Sequence, residues 1–202
     1  MRSARLLPAA NSSATAVTLA LAACFFDSVK RRLAFNLVSA GLLDEAAHLA
    51  ASALGLLALA RFVDLPRRFY LAALVASVAI DVDHIPPYLG LLPDRGRPFT
   101  HSLATVLVFG TAAAISRRHR VVLAGLAAGL ILHFARDISE GPPGVRMLWP
   151  VSQTEWTGGY WMWIAMIIAF TLTPLVLRSI GWPRSRPRPF ADGTPVIGGR
   201  TP

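Results

Sequence analysis

A chain of 202 residues that is 54% hydrophobic and only 15% charged, with a mean hydropathy of +0.51, is unlike a soluble globular protein and points to lipid. Its single cysteine, Cys24, excludes an intramolecular disulfide and any thiolate-rich zinc or iron–sulfur site, so a metal would have to be held by nitrogen and oxygen. The net charge of +9 would suit nucleic acid, but the arginines fall in short clusters between apolar runs, as in cytoplasmic membrane loops, and nucleic-acid binding is set aside.

A membrane-spanning helix needs about 20 mostly apolar residues. In chain order, the first apolar run, Ser12 to Phe26, is short and follows Arg2 and Arg5, which fits a signal-peptide core or a signal anchor; no cleavage site follows it, and it is read as retained. Clearer spans run from Leu37 to Ala60, Phe69 to Leu91, Thr100 to Ser116, Val121 to Asp137 and Tyr160 to Ile180. The expected fold is therefore all-α, a polytopic transmembrane bundle of about five helices with a sixth in question. Residues 1–36 form an N-terminal segment with an extra membrane or interfacial helix, 37–181 the membrane-embedded domain, and 182–202 a basic tail too rich in Pro, Arg and Gly to bury a core.

Loop charges give a direction. Arg61, Arg67 and Arg68 flank one turn, Arg117, Arg118 and Arg120 another, and Arg184, Arg186 and Arg188 the tail, and alternation through the last four spans puts all of them on the cytoplasmic side. The expectation is a multi-pass plasma (inner) membrane protein with a cytoplasmic C-terminus. Lys30, Arg31 and Arg32 resist this scheme if the first run spans, so the topology before residue 37 stays open.

Ionisable residues within spans are costly and mark function by default. Asp44, Glu45 and His48 interrupt one run, Asp81, Asp83 and His84 close the next, His101 opens the third, and His133 and Asp137 close the fourth, all at the extracytoplasmic level. Asp44 with His48, Asp81 with His84 and His133 with Asp137 are three or four residues apart, so three helices each present a carboxylate and an imidazole on one face. Pro86 and Pro87 stop the second helix just after His84, and Pro98 precedes His101. Glu45 falls on another face and suits an arginine partner; Glu140 and Glu155 belong to a solvated outer loop; Trp156, Tyr160, Trp161 and Trp163 read as an interfacial belt.

These residues carry a resemblance. Asp81-Val82-Asp83-His84, Arg97-Pro98-Phe99-Thr100-His101-Ser102, His133 with Asp137, and Gly144-Val145-Arg146-Met147-Leu148-Trp149-Pro150 follow in the order seen in the YdjM-like family of membrane-bound metal-dependent hydrolases, over roughly residues 44 to 180. Ala79-Ile80 stands where that family has Leu-Pro, Pro98-Phe99 where it has Gly and a variable residue, and Asp44 to His48 where it has Thr-His. The ligand order also resembles zinc-dependent phospholipase C, which cleaves phosphate esters.

The resemblance implies a metal-dependent hydrolase with its site near the extracytoplasmic face, acting on a lipid or another phosphoester. His48, Asp83, His84, His101, His133 and Asp137 would bind one or two divalent ions, zinc first, with manganese or iron as the other candidates. Asp81 or Asp44 would act as general base or orient a ligand histidine, and Arg97 would meet an anionic substrate or a lipid headgroup. The alternatives are a transporter or proton or metal relay, and a noncatalytic scaffold with a structural metal. The lipid bilayer is the one partner expected; oligomeric state is not legible.

Overall fold

Residues 12–33, 36–91 and 97–181 are described by a computed structural model of the chain, so the basic tail at 182–202 and the first eleven residues lie outside the described residues. The apolar run at the N-terminus is a full helix, α1 (Ser12–Leu33), longer than the sequence implied because it continues through Lys30 and Arg31. Asn36 accepts from the Ser39 amide at 2.8 Å while Ser39 Oγ accepts from the Asn36 amide at 3.2 Å, a reciprocal cap that starts α2 (Leu37–Leu59).

Helix α3 (Arg67–Ala79) passes into a 3₁₀ turn, Ile80–His84, and then into the single-turn α4 (Ile85–Tyr88). Pro86 and Pro87 have no amide hydrogen to return to the preceding turn, and the helix tightens there. After α4 come α5 (Leu103–Ile115), α6 (Arg120–Glu140), ended by Gly141 at φ 97°, and α7 (Tyr160–Ser179). The helices long and apolar enough to cross a membrane are α1, α2, α3 with its extension to Tyr88, α6 and α7. The third expected span, Thr100 to Ser116, is instead the 13-residue α5, about 20 Å long, because Ser102 is extended and the chain before it turns inward. Its first amide, at Leu103, is held by the Met147 carbonyl at 2.9 Å.

Small residues set the spacing. A Cβ on Gly125 would lie 2.5 Å from the Phe69 carbonyl oxygen and one on Gly129 2.1 Å from that of Ala73, so α6 rests directly on the α3 backbone. Ala16 and Ala23 of α1 pack with Ala50, Ala51, Leu54 and Leu57 of α2 and Trp163 and Ile167 of α7. Large apolar side chains such as Leu21, Phe25, Leu107, Val108 and Ile115 point outward, the reverse of a soluble protein and what a bilayer requires. Trp163, read from sequence as part of an interfacial belt with Trp161, is 2% exposed in the core, whereas Trp161 is 71% exposed.

Candidate metal centre

The 3₁₀ turn at the end of α3 decides where its polar residues point. With three residues per turn, side chains at i and i+3 eclipse, and Asp81 and His84 face the same way, Nε2 of His84 lying 3.6 Å from Oδ1 of Asp81. Asp83 is rotated off that line, toward His101 Nδ1 at 3.3 Å and the Thr100 hydroxyl, which donates to it.

One helical turn beyond Gly129, the Nδ1–H of His133 donates to the Ser77 carbonyl of α3 at 2.9 Å. Its Nε2 lone pair is therefore aimed at the centre of the bundle. Asp83, facing Nδ1 of His101, orients that ring likewise, and the two Nε2 atoms stand 3.2 Å apart. Asp81 Oδ1 is 2.9 Å from His101 Nε2 and 3.4 Å from His133 Nε2; Asp137 Oδ2 is 3.1 Å from His133 Nε2 and 3.7 Å from His101 Nε2.

Donors about 2.0–2.1 Å from a tetrahedral zinc are separated by about 3.3–3.4 Å. The measured separations bracket that edge length. His101, His133 and Asp137 are wholly inaccessible, and neither Asp137 oxygen meets hydrogen-bond geometry, Oδ2 being held instead in an ion pair with Arg97 Nη1 at 3.0 Å. Inward-facing lone pairs and carboxylate oxygens at this spacing repel unless a cation or proton lies among them. The donor set, all nitrogen and oxygen, fits a divalent transition metal, and Asp81, Asp83, His84 and His101 on one side and His48, His133 and Asp137 on the other could each hold one.

His48 stacks on His133 with ring centroids 3.9 Å apart, and its Nε2 is 3.3 Å from the second oxygen of Asp137. The same nitrogen is only 2.7 Å from Nη1 of Arg136, which also reaches Asp44 Oδ1 at 2.5 Å. Arg136 is 1% exposed, braced by Asp27 at 3.3 Å, by Glu140 at 3.4 Å and by the Trp163 ring 5.3 Å from its guanidinium carbon. A guanidinium nitrogen thus lies between Asp44 and His48, at the edge of the group formed by His48, His133 and Asp137.

A ring of ion pairs closes the site from above. Lys30 bridges Asp44 at 2.8 Å and Glu140 at 2.5 Å, and Arg97 spans Asp137 at 3.0 Å and Glu140 at 2.9 Å. Burial works against the charge of Arg97, but the facing Asp137 and Glu140 outweigh it and raise its pKa above the ordinary arginine value. A cleft of about 330 Å³ opens among Lys30, Asp44, Glu45, Asp81, His84 and Arg97.

The structure brings His48, Asp81, Asp83, His84, His101, His133, Asp137, Asp44 and Arg97 into one cluster. Glu45 lies against Asp81 rather than against an arginine. Glu140, expected in solvent, is a 17%-exposed hub for Lys30, Arg97 and Arg136; Glu155 does stay at the surface, paired with Arg146 at 3.2 Å. Arg136, Asp27 and Lys30 were missed. A charge inside a span was the available signal for Arg136, whereas Asp27 stands just past the first apolar run as the sequence showed it. Lys30 and Arg31, troublesome for topology, are taken up here, Arg31 by Asp27 at 3.0 Å and by the face of Tyr160. The Gly144 to Pro150 motif supplies no ligand; buried Val145 pairs with Trp156, and Met147 packs on Leu130 and Phe134, so the loop braces the start of α5 behind His101.

The profile of a family described as YdjM inner membrane protein matches residues 43–191. Comparison with curated proteins and with solved structures gave no match.

Proposed function

This chain belongs to the YdjM family of inner membrane proteins, and on that premise we propose that it is a metal-dependent hydrolase of phosphoesters, working at the extracytoplasmic side of the membrane. The observation that carries the reading is the convergence of His101 Nε2, His133 Nε2, Asp81 Oδ1 and Asp137 Oδ2 at metal-ligand spacing. The orientation rests on Arg67, Arg68, Arg117, Arg118, Arg120 and Arg178, which occupy the helix ends opposite the site, with the C-terminus therefore cytoplasmic.

In this reading Asp81, His101, His133 and Asp137 hold one ion, with His84 beside Asp81 as a further donor. Zinc suits the donors best, manganese or iron next. Asp83 orients His101, and His48 stacks on the ring of His133. The resident cation would supply Lewis acidity and bring the pKa of a water toward about 7.

The chain's own residues complete the reaction. Glu45, which lines the cleft against Asp81, shares a proton with that carboxylate and is placed to give it to the departing alcohol while taking one from the attacking water. The water oxygen bonds to phosphorus, the phosphorus–oxygen ester bond breaks, and the proton passes to the departing alcohol. Asp44 is less suited as base because Lys30 and Arg136 already neutralise it. Lys30 and Arg97, on the cleft wall, offset negative charge on the phosphate.

The test is elemental analysis of detergent-purified protein beside hydrolysis of a chromogenic phosphoester. The wild type should hold near-stoichiometric metal and turn the ester over, with both lost in His101→Ala and His133→Ala. A metal-free wild type that zinc, manganese and iron all fail to reconstitute would overturn the proposal.

A further inference from the structure

Beside the polar cleft runs a second hollow, a shallow groove of about 530 Å³ between α2 and the end of α3, lined by Ala46, Leu49, Val78, Ala79, Val82 and Ile85. It exists because Ala46 and Ala79 are small where larger residues flank them. Leu49, Val82 and Ile85 are 43%, 60% and 49% exposed, so in a membrane the groove faces acyl chains, not water. Glu45 and Asp81 complete its lining, and the same two carboxylates line the polar cleft. The two hollows meet at the metal-ligand cluster.

A carboxylate lining a groove that faces acyl chains is costly and calls for a reason. A site for a soluble substrate needs only the polar cleft. An apolar groove that includes the reactive carboxylates, with Lys30 and Arg97 on the cleft wall beyond them, matches a molecule that is apolar at one end and anionic at the other. We propose that the substrate is a phosphate-bearing membrane lipid that reaches the site sideways from the bilayer, one acyl chain lying in the α2–α3 groove and its phosphate in the cleft beside Asp81 and His84.

This rests on the hydrolase reading for the fate of the lipid but not for its seat, and the test separates the two. Full-length protein is reconstituted in phosphatidylglycerol and phosphatidylethanolamine vesicles containing a trace of phosphatidic acid with a diazirine on one acyl chain. After irradiation, adducts are mapped by mass spectrometry. Adducts at Leu49, Val78 and Val82 are expected to exceed those at Leu107 and Val108, which are each 66% exposed on α5, by at least about fivefold. Val82→Trp, on the outer rim, and Ala46→Trp, on the floor, should each abolish the excess in protein that keeps wild-type helicity and elution. Even labelling around the bundle, or an excess that survives both substitutions, would overturn the proposal. Labelling needs neither metal nor turnover. Groove labelling by a protein that zinc, manganese and iron all fail to load would leave the lipid seat standing and remove the hydrolase; metal-dependent cleavage of a soluble ester with even labelling would do the opposite.

Discussion

His133 and Ser77, 56 residues apart, are joined by a 2.9 Å hydrogen bond from the imidazole Nδ1 to the main-chain carbonyl, and this bond ties the ligand geometry to the distance between α3 and α6. That distance is set one turn earlier by Gly129. Gly129→Leu should force the helices apart, destabilise the protein by at least about 2 kcal/mol and lower metal occupancy. Gly110→Ala, with open space around its Cβ, should leave both unchanged or improve stability slightly. Thermal unfolding in detergent with metal analysis checks the pair.

Asp81 and Asp83 should behave differently although they are two residues apart. Asp83 contacts His101 through the nitrogen that faces away from the cluster, so Asp83→Asn should weaken metal binding by about 10–100-fold. Asp81 faces three imidazoles with one oxygen, and Asp81→Asn should cost more than that. Competition with a fluorescent chelator measures both; the reverse order would make Asp83 the ligand.

Arg136 should behave as a fixed cation of the core. Removing it in Arg136→Met leaves Asp27 and Asp44 without their buried partner and should destabilise by about 3–5 kcal/mol, whereas the double variant Asp27→Asn with Arg136→Met should lose less than the two single changes summed. Denaturation of the complete cycle gives the coupling.

With Arg136 Nη1 occupying the space between Asp44 and His48, the wild-type chain should hold one equivalent of metal. Elemental analysis at saturating zinc reads this directly. Two equivalents would mean that the guanidinium yields its place to a second ion.

Orientation is open to a chemical test. In a Cys24→Ala background, Tyr88→Cys at the site end should react with an impermeant maleimide added outside spheroplasts, and Arg118→Cys at the opposite end should not. Labelling only at position 118 would invert the topology.

What the sequence settled by itself is the class of fold and the level of the site. Long apolar runs in a chain this poor in charge have one stable solution, helices across a bilayer, because every backbone polar group must be satisfied within its own segment. The i, i+3 and i, i+4 spacing of Asp81 with His84, His133 with Asp137 and Asp44 with His48 then put imidazoles and carboxylates on common faces at one end. Tertiary structure decided which atoms meet. The 3₁₀ turn before Pro86 and Pro87 aligns Asp81 with His84 and swings Asp83 behind His101; Gly125 and Gly129 bring α6 close enough for His133 to reach Ser77; and α1 delivers Asp27 and Lys30 to a cluster far away in sequence. Periodicity within one helix cannot show this. The pairing of Arg136 with Asp27 or of Glu140 with Lys30 depends on how separate helices pack, and the low dielectric of the interior makes those long-range pairs obligatory once the helices are together.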